Sequence, residues 1–323
     1  MTIKGLVDAY LDELGRRGRR SIAEIRRRFV RNVMPLIGNV KVADIHRRDI
    51  NRVVDPIVRR GSPVEAARTF EDVRAAVRWG VSKGYLDANP IQGMPKPAHG
   101  APRERELSDD EIRVLWNGLG VALPRSKACQ RIIRLCLLTA QRVGEVSGMA
   151  PQELDLKTGI WTIPSERSKN GHEHKVPLSD AAIATIKEAM ADAGDGAKFI
   201  FPNSDGEGRL PGIAVAHTIA RAHAKDEKHP LGRFGIDHWT AHDLRRTAVS
   251  QMAGLGVAPI VLGHVINHRS VTRAGVTLAV YSQYDYAKEK RAALDAWAER
   301  LSGIVAGGSA SVTPMRRTGG DSK

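Results

Sequence analysis

The sequence has little of several features that mark other protein classes. Its 323 residues include only two cysteines and 5% aromatic residues. No apolar run approaches the ~20 residues that a membrane-spanning helix needs, and the N-terminus lacks the apolar core of a signal peptide. Cys129 and Cys136 lie in an apolar stretch with helical periodicity, so we expect two buried thiols rather than a disulfide or a metal pair. These shortages argue against a disulfide-stapled secreted domain and against a membrane protein.

Acidic residues are also scarce relative to basic ones. The chain has 36 Asp and Glu against 50 Lys and Arg, a formal net charge of +14. Such an excess indicates a polyanionic partner, because neutralising phosphates releases condensed counterions. Residues 1–96 contain 20 Lys and Arg but only 11 Asp and Glu, so we expect this segment to bind nucleic acid. The arginines that we predict to contact it are Arg16, Arg17, Arg19, Arg20, Arg27 and Arg28.

Apolar periodicity predicts four short helices in the first third of the chain. They cover 3–14, a segment from Ser21, 49–60 and a segment from Ser62 to Gly84. Ser21 and Glu24 have the spacing of a capping box, in which each side chain satisfies a free backbone N–H. With 42% hydrophobic residues the chain can form ordered cores. We therefore predict a helical bundle with basic exposed faces over residues 1–89.

The remainder of the chain adds a strand signal to the helices. Residues 90–104 are rich in proline and predict a linker, and Ser108 with Glu111 predicts a capping box at the start of a second domain. Further helices are predicted over 109–119, 126–139, 179–192, 211–224, 242–253 and 286–301, and strands over 160–163 and 174–178 around Asn170-Gly171. The predicted fold is mainly α with a small β-sheet: the bundle, an α+β domain over 105–303 and a disordered tail over 304–323.

Three runs of residues in the second domain carry chemistry. They are Thr-Ala-Gln-Arg-Val-Gly-Glu at 139–145, His-Asp-Leu-Arg-Arg-Thr at 242–247 and Ala-Val-Tyr-Ser-Gln-Tyr-Asp-Tyr at 279–286. Attack on a phosphodiester spreads negative charge over oxygens that guanidinium groups can bind. A tyrosine hydroxyl can attack where positive charge or a proton acceptor is near, and a lysine can protonate the leaving oxygen. No metal or other cofactor is expected, since the sequence shows no acidic metal cluster.

These motifs, in this order, resemble those of the tyrosine recombinases of the phage and genomic-island integrase type. The resemblance covers a SAM-like core-binding helical bundle at about 3–88 and a catalytic domain at about 105–303. It implies site-specific recombination, in which DNA strands are cut and rejoined through a 3′-phosphotyrosine and a Holliday junction without metal or ATP. Many relatives carry a further N-terminal arm-binding domain. The sequence starts directly at the bundle, so we expect either a simple recombinase or a truncated sequence.

Both arginine motifs of that family have counterparts here. The family's Thr-Gly-x-Arg-x-Gly-Glu aligns with 139–145, with Ala140 in place of the glycine. The match implies that Arg142 is catalytic and that Glu145 orients it through a salt bridge. His242 and Arg245 match the family's His-x-x-Arg, and their spacing places them on one helix face, where both can point at one phosphate.

A hairpin lysine is the next part that the resemblance implies. Lys169 aligns with it, on the strength of the following Val-Pro-Leu, and would be the general acid. Lys175 competes with it, but its place beside Val176 indicates a strand. His172 and His174 flank a glutamate in the same hairpin. For these two we expect contact with the DNA backbone or solvent exposure rather than metal binding.

The late histidine and the nucleophile each have more than one candidate. His264 has the commoner Leu-Gly-His context, whereas His268 has the better distance to the tyrosine and resembles the Leu-Asn-His of island integrases, so we favour His268. Tyr281 follows an apolar pair, as the nucleophile does in similar integrases, and we favour it. Tyr284 and Tyr286 then begin the terminal helix, and we expect them to make packing or partner contacts.

Two other functions remain open at this point. A catalytically silent DNA-binding regulator would explain the charge but not the complete set of chemical groups. A type IB topoisomerase shares the chemistry, although the small core-binding domain favours a recombinase. The expected partners are double-stranded DNA, further copies of the chain in a homotetramer, and accessory DNA-bending proteins. The expected location is the bacterial cytoplasm, at the nucleoid.

Overall fold

The computed structural model describes residues 1–19, 21–97, 104–268 and 284–307. The chain forms two compact units, Met1–Arg103 and Glu104–Lys323. Their mainly helical architecture, with one small sheet in the second unit, confirms the predicted fold class. In the described part of the chain, no helix is both long and apolar enough to cross a bilayer.

The first unit is a bundle of helices around a core of its own. Its helices are α1 (Ile3–Arg16), α2 (Ile22–Arg28), α3 (Met34–Ile37), α4 (Arg47–Arg59) and α5 (Pro63–Ser82). A π-helical turn, Phe29–Val33, joins α2 directly to α3. The core contains one aromatic ring each from the π turn and α5, Phe29 and Phe70, both 1% exposed. Apolar residues at helical spacing therefore produced the helices that the sequence predicts.

One predicted cap in this unit is wrong. Thr2 caps α1 by accepting from the backbone N of Gly5, but Ser21 makes no side-chain cap bond to α2. Its ψ is 9° rather than extended, so its hydroxyl is not presented to the first turn. The hydroxyl instead accepts from Arg19 Nε at 3.3 Å. The helix begins where predicted, but the capping box there is absent.

The described residues of the second unit form one three-stranded sheet and eight α-helices. The helices are α6 (Asp109–Ala122), α7 (Lys127–Thr139), α8 (Val143–Val146), α9 (Asp180–Ala193), α10 (Gly212–Ala222), α11 (Ala241–Gly254), α12 (Pro259–Val265) and α13 (Ala287–Ala306). The strands are β1 (Leu154–Asp155), β2 (Ile160–Ile163) and β3 (His174–Pro177), in the order β1-β2-β3. Both pairings are antiparallel, with Trp161 opposite Val176 in the β2–β3 hairpin. The sequence predicted this hairpin but not the two-residue strand β1.

Helix α7 lies at the centre of the second unit. It packs against α6, α9, α11 and α13, and every residue of its last turn, 135–139, is buried. Cys129 and Cys136 are both buried in it as free thiols, as predicted, and burial raises the pKa of Cys136. Trp297 of α13 donates from Nε1 to Leu137 O at 2.8 Å, so the terminal helix is tied to this core.

At the start of the second unit the sequence prediction is confirmed, and at its end the prediction is wrong. Ser108 Oγ accepts from Glu111 N, and Glu111 accepts from Ser108 N at 3.0 Å, which confirms the capping box. At the other end, the predicted tail starts too early. Helix α13 runs to Ala306 because Ile304, 1% exposed, continues its apolar face, and Gly307 ends it in the left-handed conformation. Residues 308–323 of the predicted tail lie outside the described part.

Candidate active site

The first arginine motif lies where the central helix ends. Helix α7 stops at Ala140, whose φ of 56° is left-handed, and Arg142 then begins the short helix α8. Glu145 is buried and receives Arg142 Nη1 at 3.0 Å and Arg142 N at 3.1 Å. Glu145 therefore fixes the guanidinium of Arg142 from the buried side, and the Arg142 side chain is still 24% exposed. The predicted salt bridge is confirmed.

Ala140 shows why a glycine suits this position. A left-handed backbone costs a residue with a Cβ roughly 1–2 kcal/mol, and glycine avoids that cost. Here alanine bears it, fully buried. The reversal points the carbonyl of Ala140 at the second arginine motif, where Arg245 Nη1 donates to it at 2.9 Å.

The second motif begins α11. Thr240 N and Oγ1 donate to Asp243 Oδ2 at 2.8 and 2.9 Å, so Asp243 caps this helix. Arg245 is only 5% exposed, and its Nη2 donates to the carbonyl of Ile266. Burial, and then the positive charge of Arg142, lowers the pKa of Arg245 to about 10. Arg245 therefore remains charged at neutral pH, and the two guanidinium groups lie close enough to repel each other.

His242 lies one turn before Arg245 at the exposed start of α11. Partial desolvation, and then the charges of Arg245, Arg246 and Arg142, lowers its pKa. A neutral imidazole is thus favoured beside the two arginines, and it can accept or donate a proton there. The structure brings together the three residues Arg142, His242 and Arg245 that the sequence proposed from two distant motifs.

Lys169 lies in the loop of the β2–β3 hairpin. Its own side chain is exposed, but Ser168 and Asn170 on either side are buried, at 0% and 7%. Asn170 Nδ2 donates to the backbone and side-chain oxygens of Asn267, and Asn267 Nδ2 donates to Ser168 Oγ at 3.1 Å. The competing Lys175 lies in β3 with its side chain 60% exposed, as its neighbour Val176 indicated.

The expectation for the histidine pair in this hairpin is half wrong. His172 is exposed, but His174 is 7% exposed and its Nε2 lies 3.1 Å from Val265 O. A carbonyl only accepts, so Nε2 carries the proton. Burial, and then the charge of Lys290, lowers the pKa of His174 to about 3. His174 is therefore a neutral structural donor, turned inward because alternate residues of a strand face opposite sides.

Helix α12 and the residues after it hold the two candidate late histidines. His264, on α12, stacks on Tyr286 with ring centroids 4.4 Å apart, and partial burial lowers its pKa. His268 is exposed and directly follows Asn267, which has a left-handed φ of 47°. Since Ile266 accepts from Arg245, His268 lies two residues from an arginine contact, whereas His264 faces the terminal helix. The preference for His268 over His264 stays a prediction.

Three consecutive carbonyls, those of Val265, Ile266 and Asn267, connect the candidate residues; we call them the carbonyl junction. Val265 O accepts from Gln141 Nε2 at 2.9 Å, next to Arg142, and from His174. The other two accept from Arg245 and Asn170, as described above. Carbonyls at a helix C-terminus have no intrahelical partner. Here both arginine motifs and the lysine hairpin supply the missing donors.

Of the three candidate tyrosines, the structure describes Tyr284 and Tyr286. Tyr281 lies outside the described residues. Tyr284 is exposed and donates to the carboxylate of Glu289 at 2.8 Å, and Tyr286 packs on His264 and on the core. Packing by Tyr286 is what the sequence predicted for it.

The arginines predicted to grip nucleic acid do not share one environment. Arg16 and Arg17 are exposed and both pair with Glu13, and Arg27 is half exposed and pairs with Glu24. Arg19 is exposed as well, and Arg20 lies outside the described residues. Arg28 is a correction: it is 7% exposed, and its Nε pairs with Asp72 at 2.5 Å. It follows Ile25 by three residues, which turns it toward the core, so we withdraw it as a DNA contact.

Sequence reasoning missed the residues that hold the candidate site together. These are Gln141, Asn170, His174 and Asn267, all less than 8% exposed. In the sequence Asn170 indicates only a turn, and no pattern distinguishes Asn267. Their hydrogen bonds join residues more than ninety positions apart, so no local pattern reveals them. In the described residues, no three His, Cys, Asp or Glu side chains are arranged to hold a metal ion.

Comparison with known proteins finds relatives for both units. Residues 107–285 match the model of the phage integrase family, and residues 8–96 match that of the phage integrase central domain. Prophage integrase IntA of Escherichia coli (strain K12) is 26% identical over 289 residues, 88% of this chain and 66% of the relative. Tyrosine recombinase XerC of Yersinia pestis is 23% identical over 220 residues, 66% of each protein. The chain thus spans about two thirds of the length of these relatives.

Solved structures share the fold. A lambda integrase dimer bound to a COC′ core site superposes with a TM-score of 0.66 at 19% identity, covering 84% of this chain and 97% of that one. A lambda integrase tetramer bound to a Holliday junction gives a TM-score of 0.65 at 18% identity, covering 84% and 79%. At these identities the likeness shows the architecture alone.

Proposed function

This chain belongs to the phage integrase family, and from that premise we propose that it is a site-specific DNA recombinase. It cuts and rejoins DNA strands through a 3′-phosphotyrosine and a Holliday junction, using neither metal nor ATP. One observation carries the proposal: Arg245 donates to both Ala140 O and Ile266 O. Those bonds bring two arginines, a histidine and the segment that leads into His268 to one place.

The arginines bind the scissile phosphate in this proposal. Arg142 and Arg245 approach from separate elements, and Glu145 is the buried counter-charge beside them. A phosphate between them would relieve their mutual repulsion. The charge on its oxygens grows as the phosphorus becomes five-coordinate, so the two guanidinium groups stabilise the transition state more than the ground state. His242, on the same helix face as Arg245, would bind a phosphate oxygen or move a proton.

The bond changes balance without a further reactant. Tyr281 Oη attacks the phosphorus, and the bond to the 5′-oxygen breaks. Lys169 gives its proton to that oxygen, while His242 or His268 takes the proton from the tyrosine or binds the phosphate. The phosphotyrosine keeps the energy of the broken bond, so a 5′-hydroxyl from another strand can reverse the step. Exchange between two duplexes follows when that hydroxyl comes from the partner.

The domain roles are part of the same proposal. We assign residues 1–89 to core-site binding, 90–104 to a linker and 105–303 to catalysis. Four copies would assemble on two duplexes of double-stranded DNA, with accessory DNA-bending proteins where the site requires them, at the bacterial nucleoid in the cytoplasm. Arg16, Arg17, Arg19 and Arg27 are the described arginines of the first unit that we assign to the DNA backbone, and Arg20 joins them from the sequence.

A covalent trapping experiment tests the proposal. Duplex fragments from the flanks of the protein's own gene are nicked just 3′ of each candidate cleavage position, so the short 5′-hydroxyl product diffuses away and the protein stays attached. We expect a denaturation-resistant protein–DNA complex that survives EDTA. Tyr281→Phe should abolish it, and Tyr284→Phe should not. Trapping by Tyr281→Phe would overturn the nucleophile assignment. Relaxation of any supercoiled plasmid, without a paired site, would instead indicate a topoisomerase.

A further inference from the structure

A buried polar cluster surrounds Lys169. Ser168, Asn170 and Asn267 are 0%, 7% and 4% exposed, and their side chains bond to one another. Asn170 Nδ2 reaches both oxygens of Asn267, and Asn267 Nδ2 reaches Ser168 Oγ at 3.1 Å. We call these three residues the amide clamp. It joins the two flanks of Lys169 to a segment almost one hundred residues away.

The amide clamp is more than a turn requires. An Asn-Gly turn forms on a protein surface with its side chains in water. Here both Asn170 and Asn267 are buried, and Asn267 adopts a left-handed φ of 47°, which asparagine tolerates better than other residues with a Cβ. Buried amides also cost free energy unless they are hydrogen-bonded. Buried polar groups that are hydrogen-bonded to one another hold a defined geometry.

The clamp fixes the lysine relative to the arginine. Ile266 O accepts a hydrogen bond from Arg245. Asn267, the next residue in the sequence, is hydrogen-bonded to both neighbours of Lys169. The path from the guanidinium to the backbone of the lysine is therefore a short series of hydrogen bonds. Val265 O receives His174 from β3, which ties the same hairpin a second time. Without these bonds, the exposed side chain of Lys169 would lie at no fixed distance from a phosphate bound by Arg245.

We propose that Asn267, acting with Ser168 and Asn170, is a positioning residue that holds Lys169 within proton-transfer distance of the 5′-oxygen. The inference rests on the proposed function, in which Lys169 is the general acid. Asn267 touches neither DNA nor the reacting atoms in this account; it acts through the lysine hairpin.

A change of leaving atom separates this role from a merely structural one. When sulfur replaces the bridging 5′-oxygen of the scissile phosphate, the leaving group is a thiolate, which departs without a proton. Loss of a general acid then no longer slows cleavage, whereas loss of phosphate binding or of the fold still does. The nicked duplex of the trapping experiment is made in both forms, oxygen and sulfur, and single-turnover cleavage is measured for each.

Two variants break the clamp from its two sides. Asn267→Gly keeps the left-handed backbone, which glycine adopts freely, and removes the amide. Asn170→Ala removes the donor on the hairpin. We expect each to slow cleavage of the oxygen duplex roughly 10- to 100-fold, the loss that misplacing a catalytic group causes. Cleavage of the sulfur duplex should stay within about threefold of wild type, which also shows that the variant is folded and binds DNA.

Two controls accompany them. Lys169→Ala should lose about 10²-fold or more on oxygen and recover on sulfur. Glu173→Ala, at an exposed position of the same hairpin, should behave as wild type on both. If both clamp variants lose equally on both duplexes, or lose on neither, while Lys169→Ala recovers on sulfur, the positioning role is refuted and the general acid stands. If Lys169→Ala itself does not recover, the general-acid assignment fails and the inference falls with it.

Discussion

Replacement of Glu145 by glutamine isolates the counter-charge beneath the two arginines. The carboxylate accepts from Arg142 Nη1 at 3.0 Å and from Arg142 N at 3.1 Å, and its side chain is 6% exposed. Glutamine has the same shape but offers one neutral acceptor oxygen. A hydrogen bond to a charged group contributes about 1.5–3 kcal/mol and a neutral one about 1 kcal/mol. We therefore expect Glu145→Gln to lower the free energy of unfolding by about 2 kcal/mol, because charge assistance is lost and Arg142 then repels Arg245 without compensation.

The variant should lose catalysis more than binding. The site becomes more positive, so affinity for duplex DNA should be unchanged or higher, while cleavage of the nicked duplex should fall at least about tenfold because Arg142 is no longer held in place. For a domain of this size about 2 kcal/mol corresponds to a melting temperature roughly 4–8 °C lower. Gel shift, thermal melting and trapping yield are measured on the same preparation.

The chain offers a matched control for this variant. Glu111 also occupies the third position of a helix, accepts from the backbone of its capping residue and pairs with an arginine, Arg105. Glu111→Gln should cost a comparable amount of stability and leave cleavage by the folded protein unchanged. If Glu145→Gln melts and cleaves as wild type does, or if Glu111→Gln loses cleavage equally, the orienting role of Glu145 is refuted.

Three further predictions follow from single contacts. His174 has a folded pKa of about 3 and an ordinary value of 6.5, so its contribution is complete above pH 6.5 and is lost as pH falls toward 3. At pH 5 the free energy of unfolding, measured by denaturant titration, should be about 2 kcal/mol lower on this account. His174→Gln should abolish this part of the pH dependence. If the variant has the same pH profile as wild type, His174 is not the buried neutral group that we assign. Arg28→Ala should destabilise the protein by about 1–3 kcal/mol, since the partly buried carboxylate of Asp72 loses its charged hydrogen-bond partner, whereas Arg27→Ala should chiefly reduce the salt dependence of DNA binding. The reverse ranking in melting and gel-shift assays would count against our reassignment of Arg28. Arg245→Lys should reduce trapping about 10²-fold or more, because one ammonium group cannot bond Ala140 O, Ile266 O and a phosphate together; near-normal trapping would show that the fork is dispensable.

Local patterns were sufficient for the helices and the hairpin. Strand β2 lies at the predicted residues, and the six longer helices from 109 onward were predicted within about five residues, because apolar periodicity and caps such as Ser108 act within one or two turns. The short helices α8 and α12 were not predicted, since four to seven residues carry too little periodicity. The short strand β1 was missed because two residues carry no periodicity. The end of α13 was placed too early, although Ile304 continues the spacing of Trp297 and Leu301.

The sequence indicates which residues carry the proposed chemistry, but not which residues hold them in place by hydrogen bonds. Arg142, His242 and Arg245 were proposed because their motifs are specific, and their proximity could be expected only through the resemblance to a family. The inward turn of His174 and the amide clamp depend on pairings between residues distant in sequence, which tertiary structure alone decides. Arg28 is the exception, since its spacing from Ile25 already placed it on the apolar face of α2.

The central claim is that two guanidinium groups hold one phosphate while a tyrosine displaces the sugar oxygen. Mass spectrometry of the trapped complex, after protease and nuclease digestion, tests it most directly. The account predicts a nucleotide joined through its 3′-phosphate to Tyr281, formed by wild type and lost in Arg142→Ala and Arg245→Ala. An adduct on another residue, or cut DNA with two free ends and no adduct, would contradict it.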